Sequence, residues 1–212
     1  MNVLETDRLV LRWLAAPDAA FMLGLLNAPS FVRFVGDRGV RTVADAEAYI
    51  RDGPGRSYEA HGFGLYLVEE KGGRVPVGVC GLLKRESLDD VDVGFALLPE
   101  FESRGYAYEA AQATLDYGRD VLGLSRIVAI VDPENTASVR LLTKLGMEYE
   151  RAVRLPGADS DVDVYATDER WGHCVAAGLA TFTDVIGSAD LDASDVPTTV
   201  DGPDEATGAS SE

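Results

Sequence analysis

The chain has 212 residues, 46% of them hydrophobic and 8% aromatic, and a formal net charge of -17. That length suits one domain with a full core and some surplus, not two large domains. The acidity argues against nucleic acid, whose phosphates demand a basic footprint, and against anionic membrane surfaces. No apolar run is long enough to span a bilayer, and the stretch Met1 to Asp7 has neither a basic start nor an apolar signal core. A soluble cytoplasmic protein is therefore expected. Cationic side chains are almost all Arg, with Lys only at Lys71, Lys84 and Lys144. A high-salt host would account for the acidic surface, and a high-GC genome would explain the Arg bias alone. Full stability in dilute buffer would sink the high-salt idea. Cys80, Cys174, His61 and His173 lie far apart in no ligand-like spacing, so no metal is expected.

The first strand is predicted over Leu9 to Leu14. Pro17 then starts a helix to about Leu26, and a short helical turn follows from Phe31 to Val35. Thr42 caps a helix to about Ile50, which Asp52-Gly53-Pro54-Gly55 closes as a firm break. Strands at Phe63 to Glu69, Val77 to Leu83 and Val91 to Leu97, joined by short turns, read as an antiparallel meander. Ser103 to Leu122 is predicted as a helix. Its narrow small-residue face comprises Ala107, Ala110, Ala111, Thr114, Gly118, Val121 and Leu122, and Gly123 stops it. A strand over Arg126 to Val131, a helix from Asn135 to Leu145, and strands at Met147 to Val153 and Val162 to Thr167 complete the pattern. The order implies an α/β (α+β) fold with a mixed sheet of about seven strands and helices packed on it. A docked terminal helix is predicted at 176–187. Beyond it, 188–212 reads as an acidic disordered tail without Lys or Arg.

Two segments carry most of the functional information. In Leu97-Leu98-Pro99-Glu100-Phe101-Glu102-Ser103-Arg104-Gly105-Tyr106-Ala107-Tyr108, a strand runs through a small-residue turn into a long helix. That layout leaves backbone N–H groups unpaired at the helix start, a cradle for phosphate. From Asn135 to Gly146 a capped helix places Ser138, Leu141, Leu142 and Leu145 on one face, so a single hydroxyl opens an apolar stripe.

Together these segments resemble the GNAT acetyltransferase superfamily, and within it the RimJ/RimL-like branch of ribosomal-protein N-terminal alanine acetyltransferases. The resemblance covers roughly residues 5 to 172, with the domain drawn at 1–175. It implies a sheet splayed in the middle, with helices on both faces, and acetyl-CoA as co-substrate. Carried over, the turn amides from Glu102 to Tyr108 would hold the CoA pyrophosphate, with Arg104, Gly105, Tyr106, Ala107 and Tyr108 as candidates. The pantetheine arm would bond backbone near Leu97 and Leu98, Asn135 would contact CoA besides capping its helix, and Lys144 would meet a phosphate or simply be solvated. Ser138 would protonate the leaving thiolate; a local backbone bond is the alternative. Asp92 matches a position where similar proteins have a Glu general base; a solvent-facing strand residue is the alternative. Tyr165 and Glu86 stand in reserve. Glu102 and Ser103 depart from the family, which usually has Gln or Arg, and often Gly, at those positions.

The resemblance implies direct transfer to a primary amine within a ternary complex. The acceptor is either a protein N-terminus or a small-molecule amine, and a homodimer is left open. The competing reading is a catalytically silent acyl-CoA-binding or interaction module. A Rossmann-type site fails because no Gly-x-Gly-x-x-Gly follows a strand.

Overall fold

A computed structural model describes residues 2–158 and 160–168 of the chain. The predicted terminal helix and acidic tail, with His173 and Cys174, lie outside the described residues.

The chain opens with β1 (Asn2–Glu5) and β2 (Leu9–Trp13), then a 3₁₀ turn (Ala16–Asp18) into α1 (Ala19–Leu26) and α2 (Pro29–Phe34). α3 (Val43–Ile50) is capped as the sequence predicts: the Thr42 hydroxyl accepts from the Asp45 amide while the Asp45 carboxylate reaches back to the Thr42 amide. The expected break at Pro54 does not occur. Arg51–Gly55 forms a wide π-type turn, in which the Arg56 N–H reaches the Arg51 carbonyl, and the chain runs on into α4 (Arg56–His61). A proline lacks the N–H that a regular helix would need, and the widened turn absorbs the misfit.

β3 (Leu65–Glu70), β4 (Val75–Lys84) and β5 (Val91–Leu97) form the predicted meander. A 3₁₀ turn (Pro99–Phe101) leads to α5 (Tyr106–Asp120), followed by β6 (Ile127–Val131), α6 (Thr136–Lys144), β7 (Glu148–Val153) and β8 (Val162–Ala166). The long helix thus starts at Tyr106 and not at Ser103, because Ser103 (φ 59°) and Gly105 (φ 81°) are left-handed. Val121, assigned to its buried face, points outward at 45% exposure.

Eight strands make one sheet in the order β1-β2-β3-β4-β5-β6-β8-β7. The extra strand relative to expectation is β1, a four-residue edge strand too short to show an alternating pattern. Every pairing is antiparallel except β5 with β6, which is parallel and holds only at Val91↔Ile127 and Asp92↔Val128. Beyond Asp92 the two strands part.

Each face of the sheet has its own core. On one, Leu9, Leu11, Tyr66, Leu82 and Val93 pack with Ala110, Ala111 and Leu115 of α5 and Leu142 of α6. On the other, Leu67 and Val79 pack with Met22, Leu25 and Leu26 of α1, Phe31 of α2 and Ala46 and Ile50 of α3. Small residues let α5 lie close: a Cβ on Gly118 would stand 2.6 Å from Ile127. Arg12 fastens the α1 side. It grips Asp18 with two bonds of 2.8 Å and Glu69 at 3.0 Å, joining β2, β3 and the turn before α1.

Candidate active site

Where β5 and β6 part, a cleft of about 390 Å³ opens through the sheet. Phe95, Ala96 and Leu97 of β5 line it, with Glu102, Ser103 and Gly105 to Tyr108 at the start of α5. Asn135, Ala137, Ser138, Arg140 and Leu141 close one side, and Ser30, Phe31, Phe34 and Val35 in and just beyond α2 close the other. Of the residues the sequence singled out, Leu97, Gly105, Tyr106, Ala107, Tyr108, Asn135 and Ser138 therefore meet at one place. Leu98, Arg104, Lys144 and Asp92 do not line it.

At the α5 end the cleft is walled by backbone. The first helical bond runs from the Glu109 N–H to the Gly105 carbonyl at 3.1 Å, so the amides of Tyr106, Ala107 and Tyr108 precede the first turn and have no intrahelical acceptor. The paired left-handed residues Ser103 and Gly105 curl the preceding backbone, and the helix end adds about half a positive charge. At Ser103 this conformation costs about 1–2 kcal/mol for a residue with a Cβ. The position where the chain departs from the family's frequent Gly is therefore one that would suit Gly. At Gly105 the nearest atom to an added Cβ is Arg8 Nη2 at 3.4 Å, so the dihedral, and not space, demands glycine.

A cluster that no local sequence signal reveals holds this turn. Arg8, just before β2, donates to the Arg104 carbonyl at 3.0 Å and to Glu109 at 2.7 Å, and its guanidinium lies 4.8 Å above the Tyr106 ring. Burial alone would raise the pKa of Glu109, but bonds from Thr6 and from the amide and side chain of Arg8 hold its carboxyl below the usual range. The Tyr106 phenol donates to Glu70 at 2.7 Å, and that bond raises its pKa. The carboxylate in the first turn of α5 is thus compensated before any anion arrives. Arg104 stacks on Phe101, and Lys144 lies 4.2 Å over Tyr108, bracing the end of α6 against the start of α5.

Strand alternation decides which β5 groups face the gap. The Leu98 N–H donates to the Val77 carbonyl at 3.0 Å, so the even-numbered residues bond toward β4. Phe95 and Leu97 turn their N–H and C=O groups to the edge that β6 has left. Leu97 can meet a ligand through its backbone; the Leu98 amide is already engaged.

Asn135 caps α6, its side-chain oxygen accepting from the Ser138 amide at 3.1 Å. The Ser138 hydroxyl is half-buried in the cleft wall and makes no hydrogen bond among the described residues, which removes the local backbone bond as its explanation. Asp92 does not face solvent: it is 1% exposed, at the last pair before the strands part, with Arg85 Nε donating to it at 2.9 Å. Burial raises its pKa against the opposing pull of Arg85. Tyr165 is buried in the α5-side core against Tyr149, and Glu86 is exposed outside the cleft. Cys80 is fully buried, its thiol pushed up to about 12 by burial, and lies outside the cleft lining. No group of three His, Cys, Asp or Glu side chains suited to a metal occurs among the described residues.

The sequence profile of the acetyltransferase (GNAT) domain family matches residues 8–148. The chain belongs to the GNAT acetyltransferases. Among its relatives, the uncharacterized N-acetyltransferase YoaA of Bacillus subtilis is 29% identical over 169 residues, 77% of this chain and 95% of that protein. The GNAT-family acetyltransferase of Bacillus anthracis superposes with a TM-score of 0.67 at 28% identity, over 80% of this chain and 99% of its own. RimL, a ribosomal L7/L12 α-N-protein acetyltransferase solved with coenzyme A, shares the fold: TM-score 0.68 at 17% identity, over 78% of this chain and 97% of its own. GNAT proteins use acetyl-CoA as donor, and the residues present fit it. The turn before α5 offers anion-binding amides, the open β5 edge offers an amide ladder, and Ser138 offers a hydroxyl at the junction. Arg140, directly on the cleft, is a further cation that the sequence reading passed over.

Proposed function

We propose that this protein transfers an acetyl group from acetyl-CoA to a primary amine by direct attack within a ternary complex. One observation carries the reading: a single cleft crosses the sheet where β5 and β6 part, and gathers the backbone donors of the α5 turn, the open edge of β5 and the hydroxyl of Ser138, which has no partner among the described residues. Acetyl-CoA supplies the activated acetyl group. The amides of Gly105 to Tyr108 bind its pyrophosphate with the help of the helix dipole, and Arg104 and Lys144 add charge beside them. Leu97 and Phe95 hold the pantetheine arm through their backbone. The Ser138 hydroxyl donates its proton to the departing sulfur.

The amine approaches from the α2 side and must be neutral to attack. Asp92 takes its proton through water, because the carboxylate stands back from the cleft and its raised pKa makes it a better base than an exposed aspartate. No cysteine among the described residues lines the cleft, in keeping with direct transfer and no thiol intermediate. The acceptor is a protein N-terminus or a small amine.

Calorimetric titration with CoA, combined with thiol release from acetyl-CoA over an amine panel, tests the reading. Saturable CoA binding with amine-dependent thiol release is expected. Binding without turnover on any amine would make the protein a silent acyl-CoA-binding module, and no binding would remove the reading entirely.

A further inference from the structure

Fifteen arginines lie among the described residues, and twelve of them contact a carboxylate within 4.0 Å. In a chain with a net charge of -17, an arginine without such a partner stands out. The three without one are Arg38, Arg104 and Arg140, and all three border the cleft. Arg140 lines it, Arg104 sits between the lining residues Ser103 and Gly105, and Arg38 donates from its guanidinium to the carbonyl of the lining residue Val35 at 3.3 Å. Arg104 and Arg140 flank the end assigned to a cofactor that itself carries phosphates. Arg38 is at the other end, next to α2, where the acceptor enters.

A second cation faces the same side. Asp92, Gly94 and Ala96 alternate onto the α1–α3 face of β5, and Arg85 reaches Asp92 there. Only its Nε is engaged; its two terminal nitrogens have no partner among the described residues, although the side chain is two-thirds covered. The half-buried Tyr49 of α3 packs on the same core as Ala96 of β5, and its phenol is close enough to feel the charges of both Arg38 and Arg85. Asp92 neutralises one guanidinium, so one positive charge and several N–H and O–H donors remain.

We propose that the acceptor carries an anionic group, a carboxylate or a phosphate, close to its amine, and that Arg38 binds this group with Tyr49 and the free nitrogens of Arg85. The inference rests on the proposed acetyl transfer and names its substrate class. A polyamine would bring only positive charge to this end of the cleft and would find it repelled.

The test is acetyl transfer by the full chain to acceptors matched except for the anion: an amino acid and its amide, an aspartyl-leading tripeptide and its asparaginyl counterpart, and phosphoethanolamine and ethanolamine, with spermidine as the polycation. The inference expects kcat/KM at least tenfold higher for the anionic member of one or more pairs. It expects the preference to collapse toward one in Arg38→Gln through a raised KM, with CoA affinity unchanged by calorimetry. The pair that responds identifies the source of the anion. Preference for spermidine or the uncharged members, or a ratio that Arg38→Gln does not alter, would overturn the inference while leaving acetyl transfer intact. CoA binding without turnover on any acceptor would remove both.

Discussion

The two ends of the cleft offer a ligand different kinds of group. At the α5 end the groups that face a ligand are peptide N–H groups, presented by two left-handed residues and a helix terminus and braced from behind by Arg8, Glu109 and Tyr106. At the α2 end they are side chains, Ser30, Phe31, Phe34 and Val35 on the cleft itself, with Arg38 attached to the Val35 carbonyl just beyond it. A backbone site tolerates changes of side chain and fails on a change of dihedral angle; a side-chain site does the reverse. The first kind suits an invariant cofactor and the second a variable acceptor.

Substitutions can separate the two. The largest expected effect is on stability, on the α1 side of the sheet. Arg12→Met leaves Asp18 a nearly buried carboxylate with no cation beside it and Glu69 with Arg74 alone, and should lower unfolding free energy by about 3 kcal/mol in a urea titration. Ser138→Ala removes the junction hydroxyl without disturbing the cap, because Asn135 accepts from the Ser138 backbone. It should cut kcat by about 10²-fold and leave CoA affinity within about twofold. Gly105→Ala puts a Cβ on a left-handed residue with φ 81° and should weaken CoA binding about tenfold by calorimetry, with acceptor preference unchanged. Asp92→Asn bears on pH. A base must be deprotonated to act, so the wild-type rate should rise with pH through a pKa above the ordinary carboxylate value of about 4, and the variant should lose that acidic limb.

The α5 end was the more legible in the sequence, for the same physical reason that it is built of backbone. Gly105 and Asn135 are residue types selected by dihedral angle and cap geometry, so their identity and spacing speak before any tertiary contact is known. Arg8 and Glu109 were silent because 101 positions separate them and each alone resembles a solvated charge. Arg38, Tyr49 and Arg85 acquire meaning only when α2, α3 and β4 are brought beside β5. Pro54 misled because a proline usually ends a helix, whereas here a widened turn carries the chain through. Leu98 was named with Leu97 because the sequence did not give the hydrogen-bonding parity of β5; the bond to Val77 does. The fold class and the splay came through intact, and β1 was lost to its shortness.

The central claim is that CoA is read by backbone at the parting of β5 and β6. Amide hydrogen exchange of the wild-type chain, with and without saturating CoA, tests it most directly. The account predicts slowed exchange at Gly105 to Tyr108 and at Phe95 and Leu97, with no change at Leu98, whose amide is already bonded to Val77. Saturating CoA with unchanged exchange at Gly105 to Tyr108 and Leu97, and protection elsewhere, would contradict it.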